Sequence, residues 1–206
     1  MYLTNDRSDL ILSIIDKNNN IQNVVDLGCN DGATLNGLKN DKSFNAKFYY
    51  GVDYSPHILK KEIEGISFHN CDLNDDLSTI KDILYQSNLI LLLDVLEHLY
   101  DPELFLKKLN KYIQPGSQIL ITVPNASSLR LLFAWLKKDF PREKIGYFDK
   151  THRSWFTKKT LLNMILNDFK FNKFGYIYSK KKIIKTLQKI LPSRLTSQLF
   201  VLITKR

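Results

Sequence analysis

Two histidines and a set of dispersed carboxylates are the residues of this sequence best suited to chemistry. His98 closes the run Asp94-Val-Leu-Glu-His98, and His152 stands between Thr151 and Arg153 in Gly146-Tyr-Phe-Asp-Lys-Thr-His152-Arg153-Ser-Trp-Phe-Thr157. Imidazoles titrate near neutrality, so either can accept the proton of a hydroxyl nucleophile. Each also has a purely structural alternative. His98 can be a helix N-terminal residue bonded to backbone, and His152 can fix its loop against the rest of the fold. A second polar group surrounds the turn Asp26-Leu-Gly28-Cys29-Asn30-Asp31-Gly32. Gly28 and Gly32 allow a tight turn and a close ligand approach. Asp26 brings a carboxylate to that turn, where a buried acid opposes a polyphosphate and suits a cation. Asp53 ends the next apolar run, the position from which an acid reaches ribose hydroxyls. Arg130 and Arg153 carry forks that match phosphate or carboxylate oxygens, or are surface charge.

These residues need a scaffold, and the pattern supplies one. Ile21, Val24, Val25 and Leu27 form an apolar run that reads as a strand covered on both faces, followed by a helix from Ala33. Ser8 is placed to cap a short helix over residues 8–16, and Asn18 to Asn20 reads as a polar turn. A second strand runs from Ala46 to Val52, Ser55-Pro56 opens a helix, and Ile66 to Cys71 forms a third strand. Asn88 to Asp94 is the most apolar run in the chain and belongs at the centre of the sheet, beside the first strand. Pro115-Gly116 leads into a fifth strand, Gln118 to Val123. Ser127 to Lys138 reads as a strongly apolar helix that lids a ligand or docks on a partner. Thr157 caps a helix to Asp168, a strand follows from Phe169 to Tyr178, and the chain ends in a basic helix (Lys180 to Leu191) and a strand (Leu199 to Thr204).

Asp26-Leu-Gly-Cys-Asn-Asp-Gly followed by Gly51-Val-Asp-Tyr-Ser resembles the first two motifs of class I S-adenosylmethionine-dependent methyltransferases. The block Asp94-Val-Leu-Glu-His-Leu-x-Asp-Pro, then Pro-Gly-Ser and Val-Pro-Asn, is more specific. It resembles small-molecule methyltransferases of quinone and surface-polysaccharide (O-antigen and capsule) pathways. The segment with His152 is similar to Asp-x-Thr-His-x-x-x-Phe-Thr in those enzymes, so the likeness spans almost the whole chain. The resemblance implies an α/β, Rossmann-like fold with a seven-stranded, mostly parallel sheet, an antiparallel last strand and helices on both faces. It implies S-adenosyl-L-methionine as cofactor, S-adenosyl-L-homocysteine as product, and a cofactor site formed by Asp26, Gly28, Cys29, Asn30, Gly32, Asp53, Tyr54, Asp72, Leu73, Asp94 and Val95. Asp72 would accept from the adenine amino group, or else cap the helix that follows. Asn30 stands where the family usually has Gly, and Asn tolerates unusual backbone angles better than most residues. A degenerate, methyltransferase-like binding module is the alternative that this departure raises.

At 206 residues the chain reads as one domain, with a cofactor half (1–128) and a substrate half (129–206). No run is apolar enough to span a membrane, and the first residues lack a signal-peptide pattern, which points to the cytoplasm. Cys29 and Cys71 show no ligand spacing and read as free thiols, with no metal expected. The net charge of +9 is uneven: residues 1–128 hold 11 Lys/Arg against 17 Asp/Glu, and residues 129–206 hold 19 against 4. The basic half suits an anionic partner, whether a phosphorylated, nucleotide-linked or lipid-linked substrate, nucleic acid, or an anionic membrane touched peripherally; the alternative is solvated surface. RNA is disfavoured, because no appended RNA-binding module is visible and no nucleic-acid signature follows the fourth strand. The favoured activity is O-methylation of a sugar hydroxyl, or of its phosphate, in polysaccharide biosynthesis.

Overall fold

In the computed structural model, residues 6–15, 20–165, 167–179 and 182–206 are described. Asp16, Asn18, Asn19, Lys180 and Lys181, which the sequence assigns to a helix end, a polar turn and the basic helix, lie outside them. Seven strands form one sheet: β1 (Asn23–Leu27), β2 (Phe48–Asp53), β3 (Ile66–Asn70), β4 (Leu89–Leu93), β5 (Gln118–Pro124), β6 (Phe169–Ile177) and β7 (Gln198–Lys205), in the order 3-2-1-4-5-7-6. Neighbours pair in parallel except β7, which runs antiparallel to both β5 and β6. Successive residues face opposite sides, so β1 sends Val24 into one core and Val25 into the other. Helices α1 (Ser8–Ile14) and α2 (Ala33–Asn40) cover Val24, Leu91 and Leu120 with Ile11, Leu35 and Leu38. On the other face α3 (Lys81–Gln86), α4 (Pro102–Tyr112) and α6 (Lys158–Ile165) bring Leu84, Leu109 and Leu161 onto Val25, Ile90 and Ile121. Burial on both faces is why these strands read as near-continuous apolar runs. Strand order reverses at β1, which opens a crevice beyond the carboxyl ends of β1 and β4.

Several sequence expectations are corrected. Ser8 begins α1 instead of capping it; the Asp6 carboxylate accepts the Ser8 N–H at 2.8 Å. Pro56–Lys60 is a single 3-10 stretch, and Leu77–Ile80 is another ahead of α3. The apolar helix is shorter, α5 (Leu129–Leu136), capped by the Ser128 hydroxyl on the Arg130 N–H. It buries only Ala134 and leaves Leu132, Phe133, Trp135 and Leu136 exposed. Thr157 does cap α6, accepting the Thr160 N–H at 3.2 Å. The basic helix, α7 (Lys182–Ile190), followed by α8 (Pro192–Leu195), departs furthest from its pattern. Its apolar residues Ile184, Leu187 and Ile190 are exposed, so they do not pack on the sheet. Buried Gln188 holds it instead, accepting the Ser179 N–H and donating to the Leu195 carbonyl.

Candidate active site

The turn after β1 sets one wall of the crevice. Gly28 has φ +82°, and its N–H and that of Cys29 both donate to the Val52 carbonyl, at 2.7 and 3.0 Å. A Cβ on Gly28 would lie 2.7 Å from a Val95 methyl, and one on Gly32 (φ +77°) 2.7 Å from the Phe68 ring. Protein side chains therefore occupy the space that a Cβ on either glycine would need. Asn30 adopts φ +50°, the left-handed conformation Asn tolerates among non-glycine residues. Its N–H donates to Asp53 Oδ2 at 3.0 Å, while Asp53 Oδ1 accepts the Ser55 N–H at 3.0 Å. Each oxygen keeps a second lone pair for a ligand.

Asp94 follows β4 at φ +57°, the left-handed region that Asp, like Asn, enters more readily than other residues with a Cβ. Its position is over-determined: Arg7 (2.5 Å) and Gln198 (2.6 Å) donate to Oδ2, and the Thr122 hydroxyl donates to Oδ1 at 2.9 Å. The residues after it form a 3-10 turn, Leu96–His98, and His98 lines the crevice. The Glu97 carbonyl accepts the N–H groups of Arg153 (2.7 Å) and Ser154 (3.1 Å), which pins the distant His152 segment to this turn. The His98 and His152 rings meet edge to face with centroids 4.8 Å apart. Thr151 Oγ1 lies 2.9 Å from His98 Nδ1 and 2.6 Å from Asp149 Oδ1. Asp149 is a carboxylate held below its usual range, although burial raises it, by hydrogen bonds from Thr151 and by the nearby histidines. It can only accept, so the single Thr151 proton goes to Asp149. His98 must then donate from Nδ1, so that in the neutral ring the lone pair is on Nε2. His152 lies below the ordinary imidazole range because its side chain is buried and His98 is close.

A cavity of about 800 Å³ joins these parts, within the range of ligand pockets. Gly28, Asp53, Tyr54, Asp72, Leu73, Asp94 and Val95 line it, as do His98, His152 and Arg153. Asp72 uses Oδ1 to accept both the backbone and side-chain N–H groups of Asn74 at 2.9 Å, closing a local turn and not capping a helix, the alternative to its adenine role. Asp26, Cys29, Asn30 and Gly32 are absent from the wall, and Arg130 is exposed outside it on α5. The α5 residues Leu131, Leu132 and Trp135 line a separate groove of about 380 Å³ with Phe140 and Trp155. Sequence reasoning missed Glu97, Thr151, Asp149, Arg142, Lys150 and Tyr100. Glu97 and Thr151 adjoin the chosen histidines, and that adjacency was the available signal.

Asp26 lies beneath the turn, 3% exposed, with a pKa pushed up to about 7. Burial is the main cause; Arg7 pulls it down and Asp53 pushes it up. An acid whose folded pKa exceeds its unfolded value of roughly 3.9 makes the folded state hold an extra proton between those values. Its contribution therefore weakens as pH rises from about 4 to about 7, by a few kcal/mol at most. Asp26→Asn should flatten the decline in melting temperature between pH 5 and pH 8, which scanning calorimetry at a series of pH values measures. An unchanged decline would place the titration elsewhere.

A family model for a methyltransferase domain matches residues 2–172. The chain belongs to this methyltransferase family. Solved structures agree on the fold. An S-adenosylmethionine-dependent methyltransferase from Mesorhizobium loti is 15% identical with a TM-score of 0.66, covering 96% of each chain. One from Archaeoglobus fulgidus is 21% identical with a TM-score of 0.61, over 96% of this chain and 92% of that one. The N-methyltransferase NodS from Bradyrhizobium japonicum, solved with S-adenosyl-L-homocysteine, is 13% identical with a TM-score of 0.62, over 97% and 85%. No curated protein sequence matches significantly. Two of these solved neighbours are described as S-adenosylmethionine-dependent, and the third is in complex with S-adenosyl-L-homocysteine.

Proposed function

We propose that the methyltransferase acts on a hydroxyl of an anionic small molecule or lipid-linked sugar, of the kind used in surface-polysaccharide synthesis. The observation that carries this reading is the pair His98 and His152 in the wall of the same cavity as Asp53, with His98 after β4 and Asp53 at the end of β2, β1 lying between the two strands, and with Arg142, Lys150 and Arg153 also in that wall. Asp53 offers two free lone pairs to vicinal ribose hydroxyls, and Asp72 keeps Oδ2 for an adenine amino group. Both carboxylates fit the donor. S-adenosylmethionine, when bound, supplies a methyl group already activated by its sulfonium. What remains for the chain is to align the acceptor, exclude water and receive a proton or hold the developing oxyanion. His98 presents the Nε2 lone pair for that work, and Thr151 and Asp149 keep it there. The three cationic side chains suit a phosphate on the acceptor. Arg153 is stacked 4.2 Å from the Tyr100 ring centroid, which pre-orients its fork.

The exposed apolar residues of α7 and α5 favour a lipid-linked acceptor presented at an anionic membrane. Lys185 and Lys189 lie on the same helix as exposed Ile184, Leu187 and Ile190, and basic charge near an anionic surface contributes roughly 1 kcal/mol per Lys. No described helix is long and apolar enough to cross a membrane. Sedimentation should show binding to anionic vesicles that weakens with salt, and none to neutral vesicles; no binding at low salt removes the membrane part. The acceptor itself is tested by incubating the protein and labelled S-adenosylmethionine with sugar phosphates, nucleotide-linked sugars, lipid-linked sugars and RNA. Label on a sugar oxygen is expected, and label on RNA alone would refute the reading.

A further inference from the structure

Glu97 is fully buried, and neither of its carboxylate oxygens has a hydrogen-bond partner. It sits behind the two histidines at the acceptor end of the cavity. Glu97 Oε1 lies 4.0 Å from His152 Nε2, and one donor atom each from Glu97, His98 and His152 lies within 4.8 Å of the others. His152 Nδ1 is also buried without a partner. A buried, unpaired carboxylate costs several kcal/mol, and either a proton or a cation must offset that. Two imidazoles and a carboxylate around one gap form a donor set that suits divalent first-row transition ions. His98 is already oriented as a ligand would be. Asp149 and Thr151 hold its Nδ1 and leave Nε2 free, the outer hydrogen-bonding support that metal-bound histidines usually have. Metal–ligand bonds of roughly 2.0–2.2 Å put neighbouring donors about 3–3.5 Å apart, so closure by about 1 Å through side-chain rotation completes the site.

We propose that Glu97, His98 and His152 bind a divalent transition-metal ion such as Zn²⁺ or Mn²⁺ beside the acceptor. The sequence alone suggests no metal because His152 is far from Glu97 and His98 along the chain. With the ion in place, the His98 lone pair serves the metal, and coordination positions on the cavity side remain for an acceptor hydroxyl oxygen. The role at the acceptor rests on the functional reading above, but the binding site itself does not. Mg²⁺ is a poor alternative because it prefers oxygen donors and gives up its water reluctantly.

Calorimetric titration of chelator-treated protein with ZnCl₂, MnCl₂ and MgCl₂, without cofactor or acceptor, tests this. One Zn²⁺ per chain is expected, with a Kd at least 100-fold below that for Mg²⁺. Glu97→Gln keeps the shape and removes the charge, and should weaken Zn²⁺ at least 10-fold. Thr151→Ala touches no ion and removes the oxygen behind His98; it should weaken Zn²⁺ about 10-fold and serves if Glu97→Gln does not fold. Absence of Zn²⁺ binding, or equal Zn²⁺ affinity in wild type and the folded variants, overturns the proposal. S-adenosyl-L-homocysteine titrated into the same samples reads the cofactor site independently, so failure there is distinguishable from failure of the metal site.

Discussion

His98→Ala is expected to lower turnover on the true acceptor by about 10²–10⁴-fold while leaving the affinity for S-adenosylmethionine nearly unchanged. The size follows from loss of the group that presents a lone pair to the acceptor oxygen, whether that pair meets a proton or an ion. The selectivity follows from position. His98 follows β4 and Asp53 ends β2, with β1 between the two strands, and the His98 side-chain bond runs to Thr151. Initial-rate kinetics with calorimetry of the cofactor separate the two quantities. Cofactor affinity falling in step with turnover would instead assign His98 to the structure of the crevice, the backbone-bonded alternative its sequence context allows.

Asp53→Ala is expected to weaken S-adenosylmethionine binding by roughly 2–3 kcal/mol, about 30- to 150-fold. Part of this is the hydrogen bonding that a charged acceptor gives to ribose hydroxyls. The rest comes from the turn, because the same carboxylate accepts the N–H groups of Asn30 and Ser55. Asp53→Asn keeps one acceptor oxygen and should fall between wild type and Asp53→Ala. If Asp53→Asn matched wild type and Asp53→Ala did not, the loss would belong to the turn and not to the ribose contact.

The sheet was legible because burial on both faces leaves a simple mark: Val24-Val25 and Leu89 to Leu93 are apolar without alternation, as strands covered on both faces are. The antiparallel position of β7 came from family resemblance and not from its residues. The glycine turn was placed correctly, but its physical reason was incomplete, since Phe68 and Val95 come from other parts of the chain. In α7 the amphipathic spacing is the same whether the apolar face meets the core or the solvent; Gln188, a polar residue in the pattern, is the buried one. Within the site, the two histidines were visible as separate candidates. Their edge-to-face contact, and the buried Glu97 behind them, depend on the Glu97 carbonyl clamping Arg153 and Ser154, a long-range backbone bond that periodicity does not encode.

The most direct test of a cavity that holds the methyl donor at Asp53 and the acceptor at His98 is titration calorimetry of S-adenosylmethionine into three proteins. Wild type and His98→Ala should bind one equivalent with nearly equal, micromolar-range affinity, and Asp53→Ala should bind at least 30-fold more weakly. Binding by Asp53→Ala as tight as wild type, or no binding by any of the three, would contradict this assignment of the cavity.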